Sequence, residues 1–251
     1  MPKRVKVIAC DVLQRETCAC AASSPLVLDL EFLPKGLHDL GSARMSERLQ
    51  EALGAVDPER YEAAILCYGL CNNGVVGLSC RTRLVLPRAH DCITLLLGSR
   101  ERYRETFALH PGTYYKSPGW IERGTDGSLG EDSLLSQLGL RPSREDYAEL
   151  YGEENADYLA ECLGDWYKSY DRMVFLDTGL GDRASYRERV AAEASRLQLA
   201  FEEVSGDLSL LRRLLSGDWG SEDFLVLEPG ERVEPTFGLD IVGSDRAQSR
   251  R

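Results

Sequence analysis

Short apolar runs, separated by longer stretches of mixed polarity, set the rhythm of the chain. VKVIAC (5–10) alternates Val5, Val7 and Ala9 and reads as a first strand; PLVLDLEFLP (25–34), closed by Pro34, reads as a second. AAILC (63–67) and TRLVLP (82–87) are apolar runs of strand length. In SARMSERLQEALGAV (42–56), Met45, Leu49 and Leu53 recur four apart, which gives a helix one apolar face, with Ser42 as its N-cap candidate. CITLLLGSRERYRETF (92–107) reads as one helix with an apolar first half, and GTYYKSPGW (112–120) as an extended segment and loop. Later come a strand at RMVFLDTG (172–179), a helix from Tyr186 to Leu197 and a strand at LAFEEVSG (199–206). A helix at LSLLRRLLSG (208–217) and a final strand at DFLVLEPG (223–230) precede a polar tail.

Strands alternating with helices predict an α/β protein with a mainly parallel sheet, or sheets, covered by helices on both faces. The strands group before about residue 121 and after about residue 171, with a polar, glycine-rich stretch and a long helical region between. The expected organisation is a first α/β lobe at 1–121, a helical and loop insertion at 122–170, and a second lobe with the tail at 171–251. Either one sheet carries an inserted arm, or two Rossmann-like lobes face each other.

Composition narrows the partners. The chain of 251 residues is 43% hydrophobic and 28% charged, with a formal net charge of −11. An acidic balance argues against nucleic acid and anionic membranes as partners, because phosphate affinity comes mainly from Lys and Arg. No apolar run approaches the roughly 20 residues that span a bilayer. MPKRVKVIACDV reads as the lead into a strand and not as a signal peptide, so a cytoplasmic location is expected. There, eight cysteines are thiols, metal ligands or redox groups sooner than a disulfide framework.

Four blocks, YGLCNNGVVGL (68–78), LVLPRAHDCITLLLGSRERY (84–103), PGTYYKSPGWIE (111–122) and FLDTGLGD (175–182), together resemble the domain-of-unknown-function 1638 family. The first block usually reads GLCGNG in that family; here Asn72 replaces the first glycine, so the loop is either less bent or uses Asn in a left-handed conformation. The resemblance implies no reaction. It implies a setting beside corrinoid-dependent methyl-transfer systems of anaerobic bacteria and archaea, with a corrinoid protein or methyltransferase as partner.

Three thiols stand at comparable places: Cys10 ends the first strand, Cys71 follows the third and Cys92 follows the fourth. Strand ends of a parallel sheet share one rim, so these three can meet and hold Zn²⁺ or an iron–sulfur cluster with one position open. The spacings CYGLC and CAC match no common zinc ribbon, and each thiol equally suits a small buried apolar position. His90 and Asp91 are candidates for a fourth ligand or for acid–base work beside them. Gly69, Asn72, Asn73 and Gly74 form a loop whose backbone can approach a small ligand, or simply turn the chain. Tyr114, Tyr115 and Trp120 can close over a flat ligand or pack one lobe on the other. Asp177 and Thr178, after a strand, are candidates for gripping substrate or capping the next helix. His38 and His110 read as ordinary loop residues. The expected function is a metal- or iron–sulfur-binding protein acting on a small molecule in corrinoid-linked one-carbon metabolism. The alternatives are a metal-free cysteine-dependent enzyme and a non-catalytic protein that delivers a cofactor or holds a methyltransferase.

Overall fold

A computed structural model describes residues 4–123, 152, 170–236 and 240–245. The insertion expected over 122–170 falls outside the described residues except at its edges, as does Cys162.

The strands in chain order are β1 (Arg4–Cys10), β2 (Val27–Leu33), β3 (Ala63–Cys67), β4 (Arg83–Pro87), β5 (Thr113–Lys116), β6 (Arg172–Asp177), β7 (Ala200–Ser205), β8 (Phe224–Leu227), β9 (Val233–Pro235) and β10 (Val242–Ser244). The helices are α1 (Gln14–Ala21), α2 (Ser42–Gly54), α3 (Cys92–Leu97), α4 (Arg100–Leu109), α5 (Pro118–Glu122), α6 (Arg183–Arg196) and α7 (Ser209–Ser216). The class is α/β with mainly parallel sheets, as the alternating pattern predicts.

A five-stranded sheet runs in the order β2-β1-β3-β4-β8, parallel except for β8, which pairs antiparallel with β4. Every residue of β3 is buried. Successive side chains of a strand face opposite ways, so unbroken burial means that both faces of this strand are covered. Met45, Leu49 and Leu53 of α2 all enter this core, as their spacing predicts. Ser42 is the first helical residue and Gly41 holds the cap position, so the cap expected at Ser42 lies one residue earlier.

A second, three-stranded parallel sheet has the order β5-β6-β7. Its own small core is Ile121, Met173 and Phe175 with Tyr186, Val190 and Ala194 of α6, which recur every four residues on one helix face. Sheet membership departs from the division at 121 and 171. β5, reckoned with the first half, pairs with β6, and β8, reckoned with the second half, returns to β4. The expected single helix at 92–107 is also two: Gly98, left-handed at φ 80°, ends α3, and the Ser99 side chain accepts from the Arg102 N–H to start α4.

The two sheets meet at their carboxyl-end rims. After β1 the chain makes a 3₁₀ turn at Asp11–Leu13, and after β5 it makes α5; these two pack together. Gly119 of α5 lies so near the Val12 carbonyl that a Cβ would collide with it. The Thr178 hydroxyl, beyond β6, donates to the Glu16 carboxyl of α1 at 2.7 Å. The Asp207 N–H donates to the Leu96 carbonyl at 2.8 Å, joining the segment after β7 to α3.

Candidate functional site

The first sheet runs outward in one direction from β1 to β2 and in the other from β1 to β3. In open α/β sheets ligands bind beyond the carboxyl ends of strands where the winding reverses in this way. Cys10 is the last residue of β1, and Cys67 the last of β3, with Tyr68 next and Cys71 three residues further on. The switch point of the sheet is therefore lined by thiols.

Cys71 opens an unusual turn. Cys71, Asn72 and Asn73 are all left-handed, at φ 46°, 56° and 66°. Asn tolerates that region and Cys does not favour it, since its Cβ crowds the backbone there. Hydrogen bonds hold the turn in place. The N–H of Leu70 donates to the Ala89 carbonyl at 2.7 Å, and that of Cys71 to the His90 carbonyl at 2.9 Å. Within the turn, the Gly74 N–H donates back to Cys71 at 3.1 Å. Gly69 permits this approach: a Cβ there would stand 2.5 Å from the Asp91 nitrogen. Gly74 is needed for a different reason, since its Cβ would meet the Met45 sulfur. Asn72 and Asn73 are exposed.

Cys92 begins α3. Asp91 caps that helix, its Oδ1 accepting from the N–H groups of Ile93 at 3.0 Å and Thr94 at 3.2 Å, while its Oδ2 accepts from the Tyr103 hydroxyl at 2.9 Å. Both oxygens are thus engaged in holding the loop. The Cys92 sulfur accepts from the Trp120 indole N–H at 3.4 Å.

Cys10, Cys71 and Cys92 are 2%, 8% and 8% exposed. They are electrostatic neighbours: the Cys92 thiol is raised by burial first, then by Asp91, Cys10 and Cys71. Burial pushes Cys10 up to about 12, with Asp11 adding to the shift. Burial, Asp91 and Cys10 likewise push Cys71 up. The Tyr68 hydroxyl, in the same nest, is buried beside Cys10. A residue missed in the sequence completes the group: His38 Nε2 lies 3.7 Å from the Cys10 sulfur, and its ring is 6.2 Å from that of Tyr68. Its signal was available, since it follows β2 and so stands at the same rim as the ends of β1 and β3. Among the described residues, no three His, Cys, Asp or Glu side chains are arranged to hold a metal ion as they stand.

The other candidates go elsewhere. His90 is exposed, stacks on Tyr103 at 5.7 Å and lines a separate cavity, and among the described residues no hydrogen bond ties it to a thiol. Tyr114 packs edge-on against Tyr170 at 5.2 Å, whereas Tyr115 packs on the main core. Trp120 lies under the Lys35 ammonium, 5.4 Å from its ring. Asp177 is buried at the end of β6, where it accepts from the Gly179 N–H at 2.8 Å and is gripped by Arg183. That guanidinium holds its carboxyl below the ordinary value. Both Asp177 oxygens are thus engaged by Arg183 within the chain. Thr178 meets Glu16, a buried acid of α1 whose second oxygen has no partner. Nothing in the sequence marks Glu16, because a glutamate in a short helix ordinarily faces water.

Among the described residues, no helix is long and apolar enough to cross a membrane. A family model described as "Protein of unknown function (DUF1638)" matches residues 32–215. No curated protein and no solved structure matches the chain.

Proposed function

The chain belongs to the DUF1638 family, and on that premise we propose that it uses Cys10, Cys71 and Cys92 to hold a metal centre at the switch point of its main sheet. A small molecule would bind against that centre, between the rims of the two sheets. The observation that carries this reading is the burial of three neighbouring thiols, one ending β1 and two in the segments that follow β3 and β4, at the place where this topology receives ligands.

The electrostatics favour a cation there. Thiolates are the ligating form, and burial beside Asp11 and Asp91 holds all three groups as thiols in its absence. A bound cation displaces those protons and is stabilised by the same acidic surroundings. Three cysteines suit an iron–sulfur cluster, which spreads its ligands over several iron atoms, better than one zinc ion, which needs them converging on a point. An open iron would supply a Lewis-acid position. The Tyr68 hydroxyl and His38 would be the chain's own polar groups beside it. The corrinoid-linked one-carbon setting implied by the family resemblance is part of the proposal.

A second reading rests on the 3.7 Å contact between Cys10 and His38: a metal-free enzyme with Cys10 as nucleophile. With a thiol near 12, only about one molecule in 10⁵ would carry the thiolate at neutral pH, unless His38 takes the proton.

The test is purification without oxygen, followed by iron, zinc and acid-labile sulfide analysis and an absorption spectrum. Iron and sulfide in the wild type, lost together in Cys10→Ala, Cys71→Ala and Cys92→Ala, support a cluster. Zinc with the same cysteine dependence supports a single-ion site. Metal-free protein after anaerobic reconstitution with iron and sulfide sinks both and leaves the Cys10–His38 pair.

A further inference from the structure

His90 lines a cavity that none of the thiols reaches. The cavity measures about 240 Å³ and lies between α4, the start of α3 and the turn before β10. His90, Tyr103 and Phe107 line it as a column of rings: His90 on Tyr103 at 5.7 Å and 27°, and Tyr103 on Phe107 at 6.3 Å and 6°. Phe107 ends the column 57% exposed, a large aromatic face left to water. Thr94 also lines the cavity. It is fully buried, and its hydroxyl has no hydrogen-bond partner. Such a group costs about 1–3 kcal/mol unless something satisfies it.

The opposite wall is strained. Ile241 lies at φ 62°, a region that a β-branched residue rarely enters. The Val242 N–H donates to the Asp240 carbonyl at 2.5 Å, so Ile241 is the centre of a γ-turn. The Arg88 guanidinium fastens this turn by donating to the carbonyls of Asp240 and Val242. Strain of this kind persists where the surroundings enforce it, commonly at ligand sites.

The charges around the rings select the ligand. Glu101, Glu222 and Asp240 line the cavity against Arg100 and Arg104, and Arg100 is already paired with Asp223 at 3.3 Å. Phosphate is therefore disfavoured. Glu101 and Arg104 stand three residues apart on α4 and so are neighbours along one side of the Tyr103–Phe107 ridge. A carboxylate accepts from amino and ring N–H groups, and a guanidinium donates to a ring carbonyl and its neighbouring nitrogen. We infer that this cavity binds an uncharged purine, as base or nucleoside, with a donor edge and a carbonyl edge. The ring extends the Tyr103–Phe107 stack, Glu101 and Arg104 read adjoining donor and carbonyl positions on one side of it, and Thr94 takes a hydrogen bond. The volume is below the roughly 300–1,000 Å³ of drug-sized sites, which suits one ring system and excludes a dinucleotide. None of the thiols lines this cavity.

The experiment is calorimetric titration of the full chain with guanosine, adenosine and guanosine monophosphate. Guanosine should saturate one site, with adenosine and the monophosphate each weaker by at least about fivefold. Phe107→Ala, at an exposed position that the fold does not need, should weaken guanosine by at least about fivefold. Thr94→Val should weaken it by at least about twofold, with an unchanged circular dichroism spectrum. No saturation by guanosine below about 1 mM overturns the proposal. So does wild-type affinity in Phe107→Ala, or a monophosphate that binds as well as the nucleoside.

Discussion

The Trp120 indole N–H donates to the Cys92 sulfur at 3.4 Å, so a side chain carried by the second sheet closes over a thiol of the first. Trp120→Phe keeps most of the bulk and removes the donor. It should cost about 1 kcal/mol in urea unfolding and speed iodoacetamide labelling of Cys92 in the native protein. Unchanged stability and unchanged labelling would mean that the contact is idle.

Glu16 gives a pH dependence of known sign. Burial raises its carboxyl pKa above the ordinary 4.5. The folded state then binds the proton more tightly than the unfolded chain, so this contribution is complete below pH 4.5 and is lost as pH rises through the folded value. Glu16→Gln keeps an acceptor for Thr178 and cannot ionise. Thermal melts should show the variant gaining on the wild type as pH rises from 4 to 8; a constant difference would refute the assignment.

Asp177 has the opposite sign. Arg183 lowers its pKa below the ordinary 3.8, so the stability it contributes is present above that value and is lost as pH falls through the lower, folded one. Asp177→Asn should flatten the acid side of the stability curve and leave the metal proposed for the thiol site unchanged. Loss of that metal in this variant would place Asp177 at the centre after all.

Gly119→Ala drives a methyl group into the Val12 carbonyl, backbone against backbone, where neither side can swing away. It should destabilise the protein by about 3 kcal/mol or more in denaturant titrations. Gly36→Ala, with open space around its Cβ, is the control and should stay within about 0.5 kcal/mol.

These effects bear on what a linear sequence can convey. Burial is written locally: AAILC is apolar throughout because β3 is covered on both faces, and Met45, Leu49 and Leu53 mark one side of α2. Partnership is not. FLVL at β8 has the composition of a strand in either sheet, and only its antiparallel register with β4 decides the matter. The thiol rim was legible because strand ends of parallel sheets share an edge. His38 belonged to that edge by the same rule and was passed over because its segment is a 3₁₀ turn without apolar period. His90 stands apart from the thiols for the converse reason. Adjacent residues in a loop point to different places, and Asp91, its neighbour, turns inward to cap a helix.

The return of β8 to β4 also dictates when the molecule can be finished. Arg83 and Glu228, which pair across this seam, are 145 residues apart in sequence. During synthesis β4 has no outer neighbour until the chain has grown past residue 227, and its backbone donors and acceptors stay open meanwhile. At about 5–20 residues per second, that exposure lasts on the order of 10 s. So late a closure gives the nascent chain time to pair wrongly with another copy, and makes the segment around β8 the step at which a holdase chaperone would matter most.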